Sequence, residues 1–281
     1  MPSKPKLGQN FLNDQQAIQR IVAALGDCTD RTVVEIGPGR GAITGLLAAR
    51  AGRLIAIELD TELAGHLRDE FPAEGISIVN KDVLDFDFAA ASAAAGERLI
   101  VIGNLPYLIT SPILLKLAEN HAALDRAVLM VQREVADRVT ASPGSRDYGL
   151  LSVTVQLHGP VEGLFTLPPG AFSPPPEVHS TVFRWRFAPR FDELNVHPQE
   201  FTQFLRQAFA QKRKTLANNL RAAKIPATTV TEALSFSSVH PMARAESLPI
   251  EVLASVWRAL NNKEATPASE VAPSLNNSMD Q

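Results

Sequence analysis

The sequence predicts an α/β domain with a mostly parallel sheet, followed by a small all-α domain. Three observations carry this reading. Short β-prone runs alternate with helical patterns from Thr32 to Val131, as in a parallel sheet covered by helices. Several of these runs end on residues suited to holding a ligand: Gly37, Glu58, Asp82 and Asn104. Beyond Pro198 only helical periodicity remains.

The elements follow in order. Thr32–Ile36 reads as a strand, then a glycine-rich turn and a helix over Ala42–Ala51. Arg53–Glu58 is a second strand, with a helix near Glu62–Glu70. Ile76–Asn80 and Leu99–Ile102 are the third and fourth strands, followed by a helix over Ser111–Asn120 and a strand over Arg126–Val131. Leu151–Leu157 and Thr181–Arg186 read as later strands, paired at one side of the sheet, with the proline-rich Leu167–Pro176 as a loop between them. Composition shifts near Ala188–Pro198, after which Phe201, Phe204, Leu205, Ala208 and Phe209 recur at helical spacing. The expected division is residues 1–190, residues 191–261 as a small helical domain, and a polar tail, 262–281, expected to be disordered.

Of the 281 residues, 45% are hydrophobic, enough for a sizeable core. No apolar run approaches the roughly 20 residues that cross a bilayer, so no membrane partner is expected. The N-terminal Met1–Lys6 is basic without the apolar stretch of a signal peptide. Cys28 is the only cysteine, which excludes an intrachain disulfide and a cysteine metal site. A cytoplasmic location is the expectation. The six histidines lack ligand spacing, so no metal is expected. No exposed coiled-coil seam is apparent, so a monomer is expected. The net charge of −3 does not announce a nucleic-acid binder, and charge has to be read locally.

Glu35-Ile36-Gly37-Pro38-Gly39-Arg40-Gly41 is a strand end, a glycine turn and a helix start. Gly37 and Gly39 let a ligand approach the backbone. Glu58 ends the second strand 21 residues after Gly37, where an acid accepts hydrogen bonds from ribose hydroxyls. That spacing fits NAD as well as S-adenosylmethionine. Two features favour the latter. The glycine spacing is not the dinucleotide G-x-G-x-x-G, and Glu35 lies where an acid would meet the cationic methionine end, through backbone or water. Asp82 is placed to accept the adenine amino hydrogens and Val83 to cover the ring; the plainer reading of Asp82 is a helix N-cap.

The fourth run breaks at Asn104-Leu105-Pro106-Tyr107. Beside a sulfonium methyl this motif suits a planar amine acceptor. The Asn104 side chain and Leu105 carbonyl accept from an exocyclic NH2, Pro106 fixes the turn, and Tyr107 offers a face for a base. An adenine N6 is a poor nucleophile because its lone pair is delocalised into the ring. Two acceptors align that lone pair with the methyl.

With these motifs assembled, the chain resembles the ribosomal RNA adenine N6-dimethyltransferases of the type that modifies small-subunit rRNA. The resemblance runs to about residue 260. It rests on Gly8-Gln9-Asn10-Phe11-Leu12, Glu35–Gly41, Glu58, Asp82-Val83, Asn104–Tyr107 and Phe172-Ser173-Pro174-Pro175-Pro176. It implies a Rossmann-like S-adenosylmethionine-dependent methyltransferase sheet and cofactor contacts from Asn10 and Leu12. It implies Phe172 as a second ring that sandwiches the target adenine with Tyr107. It also implies dimethylation of two adjacent adenines near the 3′ end of 16S rRNA, within an assembling small subunit. Relatives commonly carry Lys and then Asp where this chain has Glu177 and His179, which puts a basic contact near that loop in doubt.

Phe201–Lys224 holds Arg206, Lys212, Arg213, Lys214, Arg221 and Lys224 with no acid, a local charge of +6. Its sign suits RNA phosphates; the plain alternative is a solvated helix face. Competing functions are a large-subunit rRNA methylase of the erythromycin-resistance type, disfavoured by Leu105 and the long helical C-terminal part, and a DNA adenine methylase. A nicotinamide oxidoreductase leaves Asn104–Tyr107 without a role. A non-catalytic assembly factor leaves the intact acceptor motif without one.

Overall fold

The computed structural model describes residues 10–261. Lys4, Lys6, Gly8, Gln9 and the tail from Asn262 lie outside the described residues. A two-residue strand, β1 (Phe11–Leu12), leads into α1 (Gln15–Ala23). Strands and helices then alternate: β2 (Thr32–Ile36), α2 (Thr44–Ala48), β3 (Arg53–Glu58), α3 (Thr61–Glu70), β4 (Ile76–Asn80), α4 (Phe88–Ala95), β5 (Leu99–Asn104), α5 (Thr110–Glu119) and β6 (Leu124–Gln132). Next come α6 (Arg133–Val139), α7 (Leu150–Leu157), β7 (Val161–Leu167), β8 (Phe172–Ser173) and β9 (Ser180–Arg186). The described chain closes with α8 (Pro198–Ala208), α9 (Leu216–Ala222), α10 (Ala227–Phe236) and α11 (Ile250–Asn261).

The seven-stranded sheet has the order β4-β3-β2-β5-β6-β9-β7. β2 to β6 pair in parallel, while β9 runs antiparallel to both β6 and β7. β2 is buried along its whole length because helices cover both faces, which is why it reads as an unbroken apolar run. The chain leaves β2 toward β3 and β4, then returns to β5 on the opposite side of β2. That reversal opens a crevice at the carboxyl ends of the strands. A separate two-stranded ribbon joins β1 to β8, pairing Leu12 with Phe172 and Phe11 with Ser173.

Leu151–Leu157 is helical, a correction to the strand expected there. Leu151 and Val155 pack into the core under the sheet, whereas Val153 and Leu157 pack into a second core among α8–α11. Each pair is an i,i+4 helical pair, but the two are offset by two residues. The apolar pattern of a helix buried on both sides therefore imitates a strand. The outer strand is instead β7, which the sequence hides because it is half-exposed and its register slips between Gly163 and Phe165. The second core also takes Tyr148 from before α7, so it is not confined to residues after 190.

Two arginines brace the connection between the cores. Arg190 donates to Glu193 at 2.6 Å and to Glu251 of α11 at 2.8 Å, and Arg258 of α11 donates to the Leu194 carbonyl. Among the described residues no helix is long and apolar enough to cross a membrane.

His158 follows α7 at this junction, its ring 5.1 Å from that of His121 and 5.2 Å from that of Phe191. Burial pushes its pKa down to about 4 from an ordinary 6.5, with the Thr154 carbonyl opposing and His121 adding to the shift. The folded state therefore binds fewer protons than the unfolded chain between those values, so stability is present above pH 6.5 and is lost as pH falls toward 4. Thermal unfolding of the parent and a His158→Gln variant should show their Tm difference moving in the variant's favour as pH falls across this window. A constant difference would place the acid sensitivity elsewhere.

Candidate active site

The parallel register brings the expected residues to one edge of the sheet. Ile36 stands opposite Ile57 and Gly103, and Glu58 opposite Asn80. Gly37, Glu58 and Asn104 consequently lie together, with Asp82 two residues beyond β4. Gly103 is required by contact: a Cβ there would stand 2.8 Å from the Ile36 carbonyl. Asn104 is the last residue of β5, two residues past the strand end expected from sequence.

The glycine turn is the fixed side of the crevice. Gly37 and Gly39 have φ of +64° and +60°, the left-handed region that side chains avoid. Glu58 is 4% exposed. One of its carboxylate oxygens accepts the Gly39 N–H at 3.0 Å and the other the Asp60 N–H at 2.9 Å. Burial raises its pKa, and those two backbone donors oppose the rise. Each oxygen retains a further acceptor site, which is what two ribose hydroxyls need. The cradle therefore fits a nucleoside, with bare backbone at the glycines and an acid at the next strand end.

Glu35, expected to meet a cationic ligand end through backbone or water, is a buried side chain. It is 1% exposed and accepts the Thr44 hydroxyl at 2.7 Å. Burial pushes its pKa up to about 8, with Thr44 opposing and Glu58 adding. Its carboxylate lies buried behind the turn. Asp82 takes the N-cap of a short 3₁₀ turn, Val83–Asp85, accepting the Leu84 N–H at 2.9 Å. The capping role is thus present, and it leaves the second carboxylate oxygen open to a ligand. Val83 beside it is buried.

The N-terminal strap spans the other side. The Asn104 Nδ2 donates to the Asn10 carbonyl at 3.2 Å. Phe11 rests on the glycine turn: a Cβ on Gly39 would lie 3.0 Å from its ring, and the Arg40 guanidinium sits 4.5 Å over it. Leu12 pairs with Phe172, and the Asn13 N–H donates to the Ala171 carbonyl at 3.0 Å. Asn10, Leu12, Asn104 and Phe172 are therefore brought together. Phe172, however, is 3% exposed within the core that includes Leu12, Met130 and Val182. It offers no open face to a base in this arrangement, because the β1–β8 pairing seats it inward.

Leu105 is buried and its N–H donates to the Met130 carbonyl at 2.9 Å. The Pro106 carbonyl accepts from the Ile109 N–H and the Thr110 hydroxyl, which locks the turn. The Tyr107 hydroxyl lies 3.1 Å from the Ser180 hydroxyl. Neither Ser180, which opens β9, nor Thr44 carries a signal in the sequence, since a lone hydroxyl gains meaning only from its partner. Leu108, 93% exposed, projects beside the motif. Glu177 and His179 are exposed nearby in sequence.

Lys212, Arg213 and Lys214 are exposed and line a recess in the turn between α8 and α9. The Lys212 ammonium donates to the Arg146 carbonyl at 3.1 Å. This brings an exposed arginine, missed in the sequence because it lies 66 residues away, to the same surface. Arg221 is exposed on α9. Arg206 stands apart, 3.5 Å from Glu119 of α5 in an exposed pair of the kind that contributes little.

Comparison with known proteins follows the same lines. The structure resembles a dimethyladenosine transferase from Plasmodium falciparum, with a TM-score of 0.74, 21% identity, and coverage of 89% of this chain and 97% of the other. It also resembles the 23S rRNA methyltransferase ErmE, with a TM-score of 0.68 and 27% identity over 90% of this chain and all of that one. Among sequences, the ribosomal RNA small subunit methyltransferase A of Acidobacterium capsulatum is 61% identical over 92% of each chain. The protein of the same name from Koribacter versatilis is 49% identical over 92% of this chain and 94% of its own. A sequence model of the family "Ribosomal RNA adenine dimethylase" matches residues 2–262. The chain belongs to the ribosomal RNA adenine dimethylase family.

Proposed function

We propose that this chain transfers methyl groups from S-adenosylmethionine to N6 of two adjacent adenosines near the 3′ end of small-subunit (16S) rRNA, giving N6,N6-dimethyladenosines during biogenesis of that subunit. It acts as a cytoplasmic monomer. The observation that carries the reading is Asn104: a side-chain amide at the carboxyl end of β5, beside a glycine cradle with a buried acid and followed at once by Tyr107. The choice of small subunit leans on the names of the sequence relatives. The helical C-terminal part does not distinguish the two subunits, since the ErmE structure overlies 90% of this chain.

The cofactor supplies an electrophilic methyl on a sulfonium. Gly37 and Gly39 would admit it against the backbone, Glu58 would accept from its ribose, Asp82 and Val83 would flank its adenine, and Asn10 and Leu12 would cover it. With Asn104 Nδ2 already donating to the Asn10 carbonyl, Oδ1 remains to accept from the target N6. The Leu105 carbonyl is the second acceptor. Together they would turn the amine's lone pair toward the methyl; as the N6–CH3 bond forms the S–CH3 bond would break, the neutral thioether would leave, and the N6 proton would pass to solvent. Tyr107 stacks on the extruded base, and its face favours the developing positive charge. Phe172 becomes the second ring only when the β1–β8 edge opens. Residues 191–261 form the RNA-binding domain, with Lys212, Arg213, Lys214, Arg221 and Arg206 on phosphates.

Glu58→Ala should weaken S-adenosylmethionine binding by on the order of 1–3 kcal/mol, measured by calorimetric titration. Because Glu58 also holds the Gly39 N–H, Glu58→Gln should fall between the two. Unchanged affinity in the alanine variant removes Glu58 from the site.

Neutralising Lys212, Arg213 and Lys214 together should weaken RNA binding and flatten its salt dependence, by roughly 0.7–0.9 in log–log slope for each lost phosphate contact. Cofactor affinity should stay the same. An unaltered slope would make the cluster a solvated turn.

Asn104→Ala should preserve most cofactor affinity while slowing single-turnover methyl transfer about 10²–10³-fold, as for loss of a hydrogen bond that matters most in the transition state. Near-native rates in this variant would overturn the proposed acceptor geometry. Primer extension across the two adenosines, in rRNA from a strain lacking the gene, tests the target itself.

A further inference from the structure

Ser180 begins β9 and is fully buried. Its backbone is fixed on both sides, opposite Gln132 of β6 and Leu167 of β7. Its hydroxyl has one hydrogen-bond partner among the described residues, the phenolic oxygen of Tyr107 at 3.1 Å. A serine at such a position needs a reason, because packing alone is met by alanine, and a buried hydroxyl is retained where it is bonded.

The reason lies in what the Tyr107 turn leaves unfixed. Its backbone is held by the Leu105 N–H on the Met130 carbonyl and by the Pro106 carbonyl, which takes the Ile109 N–H and the Thr110 hydroxyl. None of these bonds restrains the ring, which can still rotate about its two side-chain torsions. The far end of the ring is tied only through its hydroxyl, and the tie runs to a strand in the middle of a rigid antiparallel pairing. Stacking and alignment of an acceptor amine depend on the plane of that ring, so a small rotation misplaces N6 relative to Asn104.

We infer that Ser180 is a positioning residue of the methyl transfer: its buried hydroxyl anchors the Tyr107 hydroxyl and so sets the ring face against which the target adenine stacks. The inference rests on the reading of Tyr107 as the stacking ring. It makes the Tyr107 hydroxyl part of the device, although stacking as such needs only the ring.

The test is a double-mutant cycle on the full chain, read as single-turnover methyl transfer with saturating cofactor. Ser180→Ala and Tyr107→Phe should each slow transfer roughly tenfold, the worth of about one hydrogen bond. The combined variant should be no slower than either alone, since both remove the same tie. Tm and S-adenosylmethionine affinity should stay near the parent's. A second readout is the RNA dependence of the single-turnover rate: in Ser180→Ala the maximal rate should fall while the half-saturating RNA concentration stays near the parent's. A Ser180→Ala rate within about twofold of the parent overturns the inference, as does an additive loss of roughly a hundredfold in the combined variant. Tyr107→Ala separates the two levels. Severe loss there with an unaffected Ser180→Ala sinks only the anchoring role, whereas near-native rates for Tyr107→Ala sink the stacking reading with it.

Discussion

At their carboxyl ends β2 and β5 approach so closely that position 103 has no room for a side chain. A Cβ there would press on the Ile36 carbonyl, and the parallel register places these two residues opposite each other. This contact sets the distance between the glycine turn after β2 and the amide that ends β5. The crossovers diverge to either side of the same strand pair, so a gap opens between them at the carboxyl ends of the strands. The proposed cofactor cradle and acceptor motif are the two lips of that gap.

Two carboxylates sit behind the lips, and Glu58 adds to the rise of the Glu35 pKa. Glu35 is removed from water and held largely protonated near neutral pH. Glu58 is also buried, but each of its oxygens receives a backbone N–H. One acid therefore carries little charge, while the other is solvated by peptide dipoles in place of water. The acid that stays supplied with donors is the one at the end of β3, at the lip of the gap. Across the crevice, one short strap touches the glycine turn through Phe11, the acceptor amide through the Asn10 carbonyl, and the proline-rich loop through Leu12 and Asn13. A displacement of the strap is felt at all three.

Much of the fold was legible in the sequence because the parallel strands are buried on both faces and announce themselves as apolar runs. β2, β3 and β4 lie where the alternation put them. The candidate site was legible to the extent that its residues sit at strand ends, which spacing along the chain can locate. What stayed hidden has a physical cause in each case. α7 is read as a strand because two cores share it. β7 is an irregular edge with little apolar contrast. The partner of Glu35, Thr44, nine residues on, is a lone hydroxyl that no local pattern singles out. The orientation of Phe172, the Ser180–Tyr107 bond and the meeting of Arg146 with Lys212 arise from contacts between distant segments, which no local pattern encodes.

The sharing of α7 between two cores has a mechanical meaning. Leu151 and Val155 belong to one side and Val153 and Leu157 to the other, and Arg190 and Arg258 tie the connecting segment to α11. Neither half can swing without repacking a helix that the other half also needs. On the proposed roles, the phosphate-gripping turn and the methylating end then act as the fixed jaws of a caliper. Such an instrument selects RNA by the distance between a backbone it can hold and an adenine it can reach. On the proposed roles, an RNA whose fold fixes that distance is a better substrate than a loose strand carrying the same bases.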